Sequence, residues 1–397
     1  MRHHNRGLSI VRNRPQRLNQ GAATSLISNN TALASYRTAR ASAASSPCDI
    51  LWVGDSLTEG FNVCAYGSRF QDLIIQRLKT AYPSGATGQS GSSYIPAFYS
   101  SSPSAWTGPQ SYTSRTGTPS EGTGGIGGRT LRLFNVGDSQ TYTFTGTGCD
   151  VLYVGHLGVY GTFIISVDGG TTEGTNQFTI DAAAAGGATD ARAKQIRGLS
   201  AASHTIKITH ATLGPSSLGT FHYGLVAYNG DEAKGIRGID CAHQSWTPAA
   251  MNSSGIDGLT LFTNVKLIVM PMAGIGYVNQ TALATFKSDT QTLVNNIRTN
   301  IGNATCPVLF VGFDTPGSVA AQPITYASYV QQYQDLCGSL ANCALYDMKT
   351  VYPYANPTGT PVNEGGDPGW IDTADRVHLL TAGEAGVDVN LGAALLL

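Results

Sequence analysis

Apolar positions along the chain change rhythm twice. The run Asp49-Ile50-Leu51-Trp52-Val53 predicts a buried parallel strand that breaks into a turn at Gly54-Asp55-Ser56. Phe70, Leu73, Ile74 and Leu78 recur at helical spacing, predicting a helix over about 67–80 that Pro83-Ser84-Gly85 stops. Residues 84–128 are rich in Gly, Ser, Thr and Pro without a period, and they mark a boundary. The next hundred residues read as eight short strands, at 130–135, 140–146, 149–155, 161–168, 176–181, 193–198, 203–210 and 220–228. Alternation such as His204-Thr205-Ile206-Lys207-Ile208, with turns such as Asp168-Gly169-Gly170, predicts an all-β sandwich of jelly-roll type. From 235 the first rhythm returns. Strands at 236–241, 265–270, 307–312 and 344–347 alternate with helices near 247–260, 281–301, 324–340 and at the C-terminus. That order predicts a parallel sheet covered on both faces, with the sandwich inserted.

The expected organisation is therefore a basic arm at 1–48, the first part of an α/β domain plus linker at 49–128, an inserted β-sandwich at 129–229, and the rest of the α/β domain at 230–397. Composition narrows this further. Of 397 residues only 12% are charged and 48 are Gly, which excludes charge-driven disorder and coiled coils for the bulk of the chain. No apolar run reaches the ~18 residues of a membrane helix, and the N-terminus lacks the apolar stretch of a secretory signal. No membrane association is expected, and the location stays open, with extracellular or virion-associated settings both compatible. Residues 1–48 hold seven arginines (Arg2, Arg6, Arg12, Arg14, Arg17, Arg37, Arg40) and no acid. Such an arm fits anchoring in a larger assembly; nucleic acid is not expected, because no aromatic is interleaved to stack on bases. The seven cysteines show no C-x-x-C spacing, so neither zinc nor a disulfide framework is expected, and only Cys337 and Cys343 lie close enough in sequence to suspect a pair.

Chemistry concentrates at two places. Ser56 sits in the turn between strand and helix, where a hydroxyl is lifted clear of the sheet and backbone N–H groups can receive an oxyanion. Asp375-Arg376-Val377-His378 lies near the C-terminus, and its D-x-x-H spacing lets the carboxylate hold the imidazole while the other ring nitrogen takes a serine proton. Alone, G-D-S is an ordinary turn and D-x-x-H is common by chance. In this order, before the first helix and near the C-terminus, they resemble the SGNH hydrolases, the GDSL esterase/lipase superfamily, over about 49–82 and 235–397.

That resemblance implies a doubly wound, flavodoxin-like sheet with Ser56 as nucleophile, His378 as general base and acid, and Asp375 as its orienting partner. No cofactor and no metal are implied. The second family block then falls within 235–247, where Ser245 stands for the glycine whose N–H enters the oxyanion hole; Gly88 or Gly91 is the alternative placement. The third block, G-x-N-D, has no asparagine at its aligned positions Ile275 or Gly276, which leaves Asn279 or His243 as substitutes. Some family members carry a carbohydrate-binding sandwich, so an acetyl ester on a polysaccharide or other glycan is the implied substrate. Tyr153, Tyr160 and Tyr223 serve equally as sugar contacts or core, while His204, His210 and His222 read as strand residues without metal-ligand spacing. The rival expectation is a non-catalytic structural, receptor-binding or glycan-binding protein, such as a phage virion component, on a degenerate scaffold of this type.

Overall fold

The structure is a computed structural model. It describes residues 27–61, 67–84, 93–100, 110–156, 158–183, 190–313, 322–348, 378–379 and 381–396. The chain begins with β1 (Ile27–Ser28), α1 (Ala34–Ala41), β2 (Pro47–Gly54), α2 (Ser56–Glu59) and α3 (Phe70–Ala81). The β region follows as β3 (Tyr94–Pro96), β4 (Ser114–Thr116), β5 (Ser120–Gly122), β6 (Thr130–Leu133), β7 (Ser139–Gly146), β8 (Gly148–Gly155), β9 (Thr162–Val167), β10 (Gln177–Asp181), β11 (Asp190–Ile196), β12 (Ala202–Thr212) and β13 (Thr220–Tyr228). The chain then runs through β14 (Gly235–Ala242), α4 (Pro248–Ser254), β15 (Val265–Met270), α5 (Ala273–Val278), α6 (Leu283–Asn300), β16 (Val308–Gly312), α7 (Tyr326–Ser339), β17 (Cys343–Asp347) and α8 (Thr381–Leu396).

One sheet has the order β1-β17-β16-β15-β2-β14 and is parallel except where β1 joins β17. Its strands are apolar on both faces because each face is covered. Ile50 and Trp52 of β2 face α1, α3 and α8, and Trp52 meets Phe70 edge-on at 5.8 Å. Leu51 and Val53 face the other way, toward the core built by α4, α6 and α7. This alternation is the period-2 pleat expressed in side chains.

The β region forms two antiparallel sheets, β10-β9-β12-β7-β4 and β11-β8-β13-β6-β5, with β3 added on β13. They share a core that includes Tyr142, Phe144, Val151, Phe163, Ile206 and Leu225. Tyr223 is buried in the core and Tyr153 meets Phe163 edge-on at 5.1 Å, so both serve packing. His204, His210 and His222 lie on β12 and β13.

Three expectations are corrected. Residues 27–48 are not an arm: Ile27 pairs with Tyr346, Tyr36 is buried, and Arg40 is buried with its guanidinium bonded to the Leu395 carbonyl. Residues 1–26 lie outside the described residues. The β region is also not a separate body, since Tyr94, Ile126, Leu152, Val154, Tyr223 and Val226 share one apolar core with Ile239, Met251 and Phe262. Finally, 84–128 is more than linker. Ser93 N–H donates to the Gly238 carbonyl at 2.9 Å and its own carbonyl accepts from Ala227 at 2.8 Å, joining β14 to β13. Cys337 and Cys343 are separate buried thiols. Among the described residues no helix is long and apolar enough to cross a membrane.

Candidate active site

β2 delivers its chain to the C-terminal rim of the sheet, and three residues turn it at once into α2. Gly54 is required there, because a Cβ would stand 2.0 Å from Thr58 Oγ1 one turn ahead. Asp55 caps the helix by accepting Leu57 N–H at 3.0 Å. Ser56 is thereby placed at the first helical position. Gly60, at φ +84°, closes the short helix against Arg69 in a left-handed conformation that a side chain would strain.

Ser56 Oγ lies 2.8 Å from His378 Nε2, across 322 residues of sequence. His378 is positioned from two sides. The Phe61 ring packs against the imidazole with centroids 4.1 Å apart. Just beyond it, α8 is pinned to α3: Glu384 accepts Phe70 N–H at 2.5 Å and Asp388 pairs with Arg77 at 2.5–2.9 Å. Asp375 lies outside the described residues. Among the described residues no group of three or more His, Cys, Asp or Glu could hold a metal ion.

β14 runs parallel to β2 with Ala242 level with Gly54, so the turn 243–246 leaves the sheet beside Ser56. His243 N–H donates to the Gly54 carbonyl at 3.0 Å. Its ring stacks on Trp246 at 3.9 Å, and burial lowers its pKa to about 4, so the imidazole is neutral near pH 7. Ser245 adopts φ +62°, the left-handed conformation that glycine takes most readily. Among the described residues no acceptor takes the Ser245 N–H. Gly88 and Gly91 lie outside the described residues.

The positions aligned with the third block, Ile275 and Gly276, lie on α5. α5 starts two residues after β15, and burial pushes the Asp55 carboxyl up to about 6 while N–H groups, Leu57 foremost and Ile275 among them, pull it back. A Cβ on Gly276 would stand 2.8 Å from Phe286 and 3.0 Å from Tyr329, inside the core. Ile275 packs partly into that same core. At Gly274 a Cβ would meet, among the described residues within 4 Å, only Asp55 Oδ2, at 3.8 Å. Asn279 is exposed at the far end of α5, roughly 6 Å along the axis from Ile275 at 1.5 Å per residue, and among the described residues it makes no contact with Ser56 or His378.

Behind Ser56 lies a set of charges that sequence reasoning missed. Arg69 pairs with Asp72 and Asp240, each at 2.7 Å, and Arg129 reaches Asp240 at 3.2 Å and Glu59 at 3.5 Å. All five side chains are fully buried. Burial works against the ionised Asp240, yet the guanidiniums of Arg129 and Arg69 hold its pKa down to about 2. Buried charges persist only when paired in this way. The available signal was Asp240 inside the apolar stretch of β14, since an acid in a buried strand demands a buried partner.

No family model matches the chain, and no curated protein matches it in sequence. Among solved structures, one described as a peptidoglycan O-acetylesterase in action is similar with a TM-score of 0.62, covering 92% of this chain and 97% of that one at 14% identity. The chain resembles an esterase in its fold. A salicylyl-acyltransferase from a tetracycline biosynthetic pathway (TM-score 0.31, 10% identity, 70% and 91% covered) and a family two carbohydrate esterase from Clostridium thermocellum in complex with cellohexaose (0.30, 13%, 76% and 96%) align too weakly to carry an argument.

Proposed function

We propose that this chain is an SGNH-type serine ester hydrolase that removes acetyl groups from a polysaccharide or related glycan. The observation that carries this reading is the 2.8 Å approach of Ser56 Oγ to His378 Nε2 at the rim of a parallel sheet. In the mechanism, His378 Nε2 takes the Ser56 proton as Oγ attacks the acetyl carbonyl. The oxyanion forms beside the Ser56 N–H, with the Ser245 N–H as a second donor. His378 then returns the proton to the departing sugar oxygen, leaving an acetyl ester on Ser56. Water attacks that ester with His378 again as base, releasing acetate. Asp375 is the proposed partner for the other ring nitrogen, three residues before His378.

The same reading treats 49–82 and 235–397, with β1 and α1 packed onto them, as one doubly wound hydrolase domain, and 129–229, with β3, β4 and β5 on its sheets, as a jelly roll inserted into it. The strand orders β6-β13-β8-β11 and β7-β12-β9-β10 support the jelly roll, because each sheet alternates strands from two successive Greek keys. The fold's likeness to a peptidoglycan O-acetylesterase supports an acetylated glycan as substrate.

A second reading, a glycan-binding or virion scaffold that retains the site without using it, is favoured by one observation: the third block offers no asparagine to the oxyanion, and Asn279 stands exposed away from it. A fluorophosphonate probe separates the two. Labelling of the unaltered protein that Ser56→Ala abolishes is the expected result; an unlabelled wild type supports the scaffold.

A further inference from the structure

Ser245 holds a left-handed backbone, which for a non-glycine residue persists only where the surroundings hold it. Trp246 N–H closes the turn around Ser245 by donating to the His243 carbonyl at 3.3 Å, and a second contact ties that turn to the rest of the site. Gln244 N–H, one residue before Ser245, donates to Ser100 Oγ at 2.9 Å. Ser100 Oγ–H in turn donates to Glu59 Oε2 at 2.6 Å, and Ser100 N–H donates to Glu59 Oε1 at 2.7 Å. Glu59 is the last residue of α2, the helix that opens with Ser56, and it is fully buried against Arg129. The Ser100 hydroxyl therefore has its proton committed to the carboxyl group and its lone pair committed to Gln244. It ties the helix carrying the nucleophile to the turn carrying the second oxyanion donor.

We propose that Ser100 is a positioning residue that fixes the Ser245 N–H relative to Ser56 Oγ, with Glu59 holding Ser100 in place. The inference rests on the hydrolase reading above. In this role Ser100 acts by geometry, and displacement of a donor by about 1 Å is enough to cost ~10²-fold in rate.

The test compares wild type, Ser100→Ala, Ser100→Cys and Ser100→Thr for fluorophosphonate labelling rate and for kcat and KM on 4-nitrophenyl acetate. Ser100→Ala should slow labelling and lower kcat by about 10- to 100-fold with KM nearly unchanged. Ser100→Thr, which keeps the hydroxyl, should recover most of that loss. Should the alanine variant fail to fold, Ser100→Cys, close in size but a weak acceptor, should show the same drop. An unaltered protein that labels while the alanine or cysteine variant labels equally fast overturns this inference alone. A uniform loss in Ala, Cys and Thr variants, with KM rising in step, assigns Ser100 to packing and also overturns it. A wild type that does not label removes the hydrolase reading and this inference together.

Discussion

On the β14 side of Ser56, Asp240, Arg129, Arg69, Asp72 and Glu59 lock the turn with fully buried ion pairs, whereas on the β15 side a Cβ at Gly274 would meet only Asp55 among the described residues within 4 Å. The first side holds the turn that carries Ser56. On the second, among the described residues, a side chain at position 274 would have room. The two sides can therefore be altered independently.

The largest effect belongs to the locked side. Asp240→Ala would strand Arg69 and Arg129 without their shared anion and should lower stability by about 3–5 kcal/mol in denaturant unfolding. A loss below about 1 kcal/mol would show that the pairs are no tighter than the exposed Lys287–Asp335 bridge, whose kind is worth little. On the β15 side, if the proposed hydrolase reading holds, Gly274→Asn should raise hydrolysis of an aryl acetate by up to ~10²-fold by supplying a donor. Gly276→Asn is the control: its side chain enters the core beside Phe286, so the expectation is lower thermal stability and no gain in rate.

Much of this was readable beforehand. The apolar runs of β2, β15, β16 and β17 announced a buried parallel sheet, and G-D-S with D-x-x-H announced that Ser56 and His378 would meet. The charge network was not readable, because Arg69 and Asp240 stand 171 residues apart and Arg129 ends a glycine-rich stretch that looks like loop. β1 is two residues long, too short for any period to show. That Gly276 packs against Phe286 and Tyr329 was not readable either, because helical neighbours point about 100° apart and an alignment uncertain by one residue does not say which of them faces the core.

pH provides a subtler probe of how His378 is held. Burial pushes Glu384 up from 4.5 to about 8. Its folded form thus binds a proton more tightly than its unfolded form, so stability is fullest below about pH 4.5 and is lost progressively as pH rises through 8. Glu384→Gln should remove that dependence, raising the melting temperature relative to wild type near pH 9 and changing it little near pH 4. Equal curves for both proteins would mean that the carboxyl group reaches water. The smallest effect is expected at Ser245→Gly, which keeps the N–H and relieves the left-handed backbone. Stability should change by less than about 1 kcal/mol, with an unchanged labelling rate; a marked slowing would show that the serine hydroxyl itself takes part.

β2 and β14 lie side by side, yet everything from residue 55 to 234 is made between them. At ~5–20 residues per second of synthesis, β2 waits on the order of ten seconds or more before a strand exists that can pair with it on either flank. All strands of the two antiparallel sheets lie within that stretch and can pair during the wait, while the core they share with Ile239, Met251 and Phe262 is completed only afterwards. A nascent chain therefore carries one long apolar strand, Ile50 to Val53, unpaired through that wait and open to pairing with a neighbouring copy. Yield during expression should accordingly depend on the speed of translation across residues 55–234.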